Sequence, residues 1–315
     1  MKRFKNILYV ISSDDNNPQA LARAVSRAKL NQANLTLLKV IPELSSSSYS
    51  EIIGLNKNNI EDTVLARSQE TLSALVESID LPTKVTGLVK MGKVYQEIID
   101  TVQANQIDLV IKEAQTSTWL ERFFGSSDLN LLRFCPAPVW LMKADQRVDY
   151  KNILVAVSFD GSDEVYSGLN KTLLKLASSL ALIESASLHI VNVYDAPDAG
   201  FIGLWAEDPE SIEKQLFSAE QNKSSHKIES LVSELRQELG AQTYQYLAVN
   251  TYLKQGEPAE QLVKLANQIE ADLVVLGTVS KSGIAAAVLG NTAETVLSQL
   301  DCAVLAVKPD GFISI

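Results

Sequence analysis

The chain has 315 residues, 46% of them hydrophobic and 21% charged, which is enough for two domains that each bury a core. Its 28 basic and 38 acidic residues give a net charge of −10, which argues against a dominant nucleic-acid surface. No stretch approaches the roughly 20 apolar residues of a membrane-crossing helix, and two cysteines, Cys135 and Cys302, form no disulfide framework, so reducing cytoplasm is the expected setting.

In chain order, the β-branched run over residues 7–11 reads as a buried parallel strand. Ser12-Ser13-Asp14-Asp15 follows too soon for the apolar core of a leader peptide. Ala20, Leu21, Ala24, Val25 and Ala28 repeat at helical spacing, and 35–41 is a second strand. The pattern then predicts a long helix over 60–79, a strand over 84–89, a helix over 94–104, a strand over 109–112, a further helix and a strand over 139–142. The order then recurs. Strand 153–157 leads to a helix ending near 181, strand 188–193, a helix over 212–239, strand 247–253, helix 259–269, strand 273–276, helix 293–300 and strand 303–307.

The recurrence extends to residues. Lys5-Asn6-Ile7-Leu8 returns as Lys151-Asn152-Ile153-Leu154, and Ala33-Asn34-Leu35 as Ala186-Ser187-Leu188. Gly92 corresponds to Gly256, Ile107-Asp108-Leu109-Val110-Ile111 to Ala271-Asp272-Leu273-Val274-Val275, and Val139–Lys143 to Val304–Lys308. The offset grows from 146 at Lys5 to 153 at Ala33 and 165 at Val139, so the second copy has gained residues in its first helix and after its second strand. We read two domains, 1–146 and 147–315, joined at a polar seam around Ala144-Asp145-Gln146-Arg147. Strand–helix alternation predicts right-handed βαβ crossovers and two doubly wound, flavodoxin-like α/β domains, each with a five-stranded, mostly parallel sheet. Strands 1 and 4 should lie side by side, with a ligand crevice at their carboxyl ends.

In the second copy those ends carry Ser158-Phe159-Asp160-Gly161-Ser162 and Gly277-Thr278-Val279-Ser280-Lys281-Ser282-Gly283, and Gly290-Asn291-Thr292 opens the last helix. Glycines let backbone approach a phosphate, and a helix N-terminus offers unpaired N–H groups. The same residues fit a capped, tightly turned loop, with Asn291 or Thr292 as a plain N-cap.

These segments resemble the universal stress protein family, specifically its tandem-domain E type. The resemblance spans nearly the whole chain in two registers. Its strongest carriers are 151–157, 271–278 and Leu289-Gly290-Asn291-Thr292-Ala293-Glu294-Thr295-Val296-Leu297. It implies an adenine-nucleotide α-hydrolase-like fold and, in ATP-binding members, a Gly-x-x-Gly turn after strand 4, a later Gly-Ser or Gly-Thr, and an Asp after strand 1. Mapped here, Gly277 and Gly290 fit the first and last glycines. Ser280 replaces the middle glycine, Asn291 stands at the hydroxyl position with Thr292 beside it, and Ser158 takes the Asp position with Asp160 two residues on. Val193, ending strand 2, completes the implied set. Asn291 can still donate an amide N–H to a phosphate.

In the first copy Glu113 replaces Gly277, Ser12 replaces the Asp, and Gly125-Ser126 arrives one residue early. The resemblance therefore implies ATP, with Mg2+, in the second half only. It implies that the first half packs as a pseudo-twofold mate within one chain, as single-domain relatives pair as homodimers; a homodimer across chains is the other arrangement. No nucleic-acid partner and no membrane insertion are expected. No general base stands beside the implied phosphates, so the expectation is a non-catalytic stress-response protein, with weak ATPase activity ranked last. The alternative is a carrier or scaffold that holds a small apolar ligand or a protein partner at the inter-domain crevice. Phe201, Ile202, Leu204 and Trp205 would then supply an apolar wall, against the plainer reading of a loop packed on its own domain. His189 and His226 have no second ligand at metal spacing, and both cysteines read as small buried hydrophobes.

Overall fold

A computed structural model describes residues 4–11, 18–43, 57–114, 127–143, 149–159, 163–195, 208–278 and 291–312, without the side chains of 57–59, 163–166, 291 and 292. The chain divides into two compact units, Arg3–Val148 and Asp149–Phe312. In the first, the elements are β1 (Asn6–Ile11), α1 (Pro18–Asn31), β2 (Asn34–Ile41), α2 (Lys57–Ser78), β3 (Val85–Met91), α3 (Val94–Ala104), β4 (Leu109–Glu113), α4 (Ser127–Phe134) and β5 (Val139–Met142). In the second they are β6 (Asn152–Val157), α5 (Asp163–Glu184), β7 (Ser187–Tyr194), α6 (Pro209–Leu239), α7 (Ala241–Tyr246), β8 (Asn250–Gln255), α8 (Pro258–Gln268), β9 (Leu273–Gly277), α9 (Asn291–Gln299) and β10 (Ala303–Val307).

Within the first unit the strand order is β3-β2-β1-β4-β5, and within the second β8-β7-β6-β9-β10, each strand parallel to its neighbours. Both are the doubly wound α/β arrangement that the alternation predicts. The central strands need apolar residues on both faces, and Ile7, Leu8, Tyr9 and Val10 of β1 and Ile153, Leu154 and Val155 of β6 are all buried. Their helical partners follow from local chemistry. Asp208 and Glu257 cap α6 and α8 by accepting from the N–H groups of Ser211 and Glu260, and each cap precedes a proline, whose missing N–H costs nothing there. Later in α6, Ser224, Ile228, Leu231 and Leu235 form one buried stripe.

Two repeated motifs have structural explanations. Asp108 accepts from the backbone N–H groups of Lys5 and Asn6 at 2.7 and 3.1 Å, and Asp272 does the same for Lys151 and Asn152 at 2.6 and 2.9 Å. Each aspartate, just ahead of strand 4 of its copy, pins the start of strand 1 beside it. Gly92 and Gly256 close β3 and β8, donating to the carbonyls of Ile41 and Tyr194 at 3.0 and 3.1 Å. Their φ angles of +155° and +121° are where a side chain is strained, so both copies keep glycine.

One segment departs from expectation. The sequence predicts a strand from 247, but the chain turns at Gly240 (φ +78°) into the short helix α7, and β8 begins only at Asn250. Leu247, Ala248 and Val249 read as the apolar start of a strand. Leu247 instead stays helical at the end of α7, and Ala248 takes a φ of +42°, which extended backbone cannot contain.

Candidate functional site

In the second unit β6 lies between β7 and β9, with Val155 level with Val275 and Val157 level with Asn192. The chain leaves β6 toward one side and β9 toward the other, so their adjacent carboxyl ends are a switch point. Ser158, Val193 and Gly277, all half-buried, lie at the ends of these three strands. Asp160, Ser280 and Gly290 lie outside the described residues. Asn291 and Thr292 are the first residues of α9, with side chains that are likewise not described.

Buried asparagines hold the end of β6. Asn170 of α5 makes a reciprocal pair with the backbone of Ser158, donating to its carbonyl at 2.7 Å and accepting its N–H at 3.2 Å. Asn192 donates to the carbonyl of Val157 at 3.0 Å. The backbone at Val157 and Ser158 is thus held by two asparagines. Because Asn192 spends its amino group on Val157, its Oδ1 is the atom left over. That oxygen, and the Thr278 hydroxyl just past β9, are buried with no hydrogen-bond partner among the described residues. Thr278 is itself held by its backbone: its N–H reaches the Val307 carbonyl at 3.2 Å, and its own carbonyl faces the Lys308 ammonium at 3.5 Å. Lys308 in turn lies over the Phe312 ring at 4.8 Å.

Gly277 has a packing role. A Cβ there would stand 2.7 Å from Cδ2 of Leu169, so α5 sits against bare backbone. Strand alternation carries that face from Gly277 and Val275 to Val155 and Val157 and on to Asn192, so Asn192 and Gly277 both point to the α5 side.

The corresponding end in the first unit is filled with charge. Lys112 and Glu113 close β4, both buried. The Lys112 ammonium pairs with Asp128, in the first turn of α4, at 2.8 Å and donates to the Glu113 carbonyl at 2.9 Å. Tyr9 of β1 is level with Ile111 of β4, and burial, then the Glu113 charge, push its phenol pKa up to about 12. Trp140 of β5 is buried under Arg23 and Arg27, whose guanidinium carbons lie 5.9 and 5.8 Å from its ring centre.

Sequence reasoning missed Asn170, Asn192, Lys112 and Asp128 as contributors. The usable signal was a polar residue at an inward position of an apolar run, as at Asn170 beside Leu169 and Leu173, or Asn192 within Leu188–Val193. His189 is structural: its Nδ1 lies 3.0 Å from the Tyr252 hydroxyl, its Nε2 3.2 Å from Asn152 Oδ1, and its ring stacks on Tyr252. Both cysteines are buried and neither is in a disulfide. Among the described residues no three His, Cys, Asp or Glu side chains gather as a metal site, and no helix is long and apolar enough to cross a membrane. Phe201, Ile202, Leu204 and Trp205, on which the apolar-wall reading rests, lie outside the described residues.

The profile of the Universal stress protein family matches residues 3–143 and again 149–308. The chain belongs to the universal stress protein family. It is 30% identical to Universal stress protein E homolog of Haemophilus influenzae, over 98% of both chains. It is 29% identical to Universal stress protein E of Escherichia coli K12, over 99% of this chain and 96% of that one. A crystal structure of a functionally unknown Pseudomonas aeruginosa protein is similar in fold at 23% identity, with a TM-score of 0.65 over 98% of this chain and 94% of that one. A universal stress protein from Archaeoglobus fulgidus is similar at 17% identity, with a TM-score of 0.65 over 96% of each chain. Family membership and two tandem α/β domains are therefore established over nearly the full length.

Proposed function

We propose that this universal stress protein is a non-catalytic nucleotide binder, taking ATP with Mg2+ at the carboxyl ends of β6, β7 and β9. Ser158, Asp160 and Val193 would meet the nucleoside, and Gly277, Ser280, Gly290, Asn291 and Thr292 the phosphates. Mg2+ would arrive on the phosphates and supply charge neutralisation. The observation that carries the reading is the contrast at one position. The second half has Gly277, with no side chain and no charge, where the first half has the buried carboxylate of Glu113. A carboxylate beside a triphosphate repels it, whereas a glycine brings neither charge nor side chain. The spare Oδ1 of Asn192 adds a buried acceptor at the same strand ends, suited to a hydroxyl or amino donor.

Thermal unfolding of the full chain with and without Mg-ATP tests this. Ligand at about ten times its Kd adds about 1.4 kcal/mol and moves a midpoint of a domain this size by about 3–6 °C. Gly277→Glu, which installs the first half's residue, should remove the shift. A wild-type chain whose melting is indifferent to millimolar Mg-ATP would refute the reading.

A further inference from the structure

We propose that Asp128, held by Lys112, is a built-in anion that keeps the first half closed to an anionic ligand and makes its fold independent of one. The inference deepens the nucleotide reading, because it states why one half alone would be receptive. Three observations meet at this place. Asp128 sits in the first turn of α4, the end of the helix that carries partial positive charge. Its carboxylate pairs at 2.8 Å with an ammonium that is itself buried and further fixed by the Glu113 carbonyl at 2.9 Å. The repeat assigns uncharged residues to the same two places in the second half, Leu276 for Lys112 and Ala293 for Asp128.

The pair ties the end of β4 to the start of α4, the two elements that a ligand would otherwise have to bridge. A buried charge stripped of its partner is strongly unfavourable, whereas replacing both partners by apolar groups is often neutral. The lock is therefore both self-sufficient and exclusive. An incoming phosphate would have to displace a carboxylate already held by a lysine, with a second buried carboxylate, Glu113, adjacent in sequence.

Hydrogen exchange on the full chain tests this in three proteins: wild type, Asp128→Asn, and Lys112→Leu/Asp128→Ala. The probes are inorganic phosphate and, separately, Mg-ATP, and the reporting segments are 109–113 and 127–134. In wild type, exchange there should be unchanged by either probe. In Asp128→Asn the Lys112 ammonium loses its counter-ion, so phosphate should slow exchange about tenfold at ten times its Kd and raise the melting midpoint toward wild type. The double variant should melt near wild type and carry the same phosphate dependence more weakly. First-half protection of the wild type by ATP overturns the proposal. So does indifference of both variants to both anions. Segments 273–278 and 291–299, read in the same samples, report separately on the second half, so failure of the ATP reading shows there and nowhere else.

Discussion

Gly277 carries two demands at once. Resemblance assigns it to a phosphate turn, while the structure gives it a neighbour, Leu169, that leaves no room for a methyl group. Gly277→Ala should cost about 1–3 kcal/mol in urea unfolding through overpacking, and a Leu169→Ala background should relieve most of that cost. If the penalty persists undiminished in that background, packing is not its origin. His189 offers a second residue-scale test. Burial lowers its pKa, so the folded state binds fewer protons than the unfolded chain. The associated stability is complete above about pH 6.5, the unfolded value, and is lost as pH falls below it. His189→Gln should flatten the acid limb of the stability profile just below that pH, and an unchanged slope would exclude His189 as its source. Neither the Leu169 contact nor the Asn170–Ser158 pair was legible in the sequence. The pair spans a strand-to-helix turn and the contact joins α5 to the distant strand β9, placements that no local pattern encodes.

At the scale of elements, the strands were legible because a parallel strand buried on both faces must be an apolar run, and few helices look like that. The helix α8 was legible for the opposite reason, its apolar residues keeping to one side. The β8 boundary was not, since nothing in the apolar run Leu247-Ala248-Val249 announces the left-handed turn at Ala248. The aspartates were visible as repeat marks, but their work appears only once β1 and β4, or β6 and β9, lie side by side. Asp272 is nearly buried and Asp108 half-exposed, so the clasps should differ in worth. Asp272→Ala should destabilise by about 1.5–3 kcal/mol, in the range for hydrogen bonds to charged groups, and Asp108→Ala by less. Chemical denaturation of the two variants checks the order; the reverse ranking would show that burial does not set the strength of this clasp.

At the scale of the molecule, duplication supplied two scaffolds and divergence gave their switch points opposite chemistry. The second half keeps glycine, asparagine and threonine there, and the first half keeps lysine, glutamate and aspartate, with an arginine–tryptophan cluster beneath α1. The repeat itself could be read from five short anchors. The divergence could be read only as replacements, Glu113 for Gly277 and Ser12 for the Asp, because a list of residues does not say that Lys112 and Asp128 neutralise each other.

The aspartate clasps also bear on how the protein is made. Lys5 waits for Asp108, 103 residues later, and Lys151 waits for Asp272, 121 residues later. At a synthesis rate of about 5–20 residues per second, the central strand of each half spends roughly 5–25 s without the second of its two eventual neighbours. For that interval the central strand of each half has a bare edge, and nascent-chain chaperones would find it there.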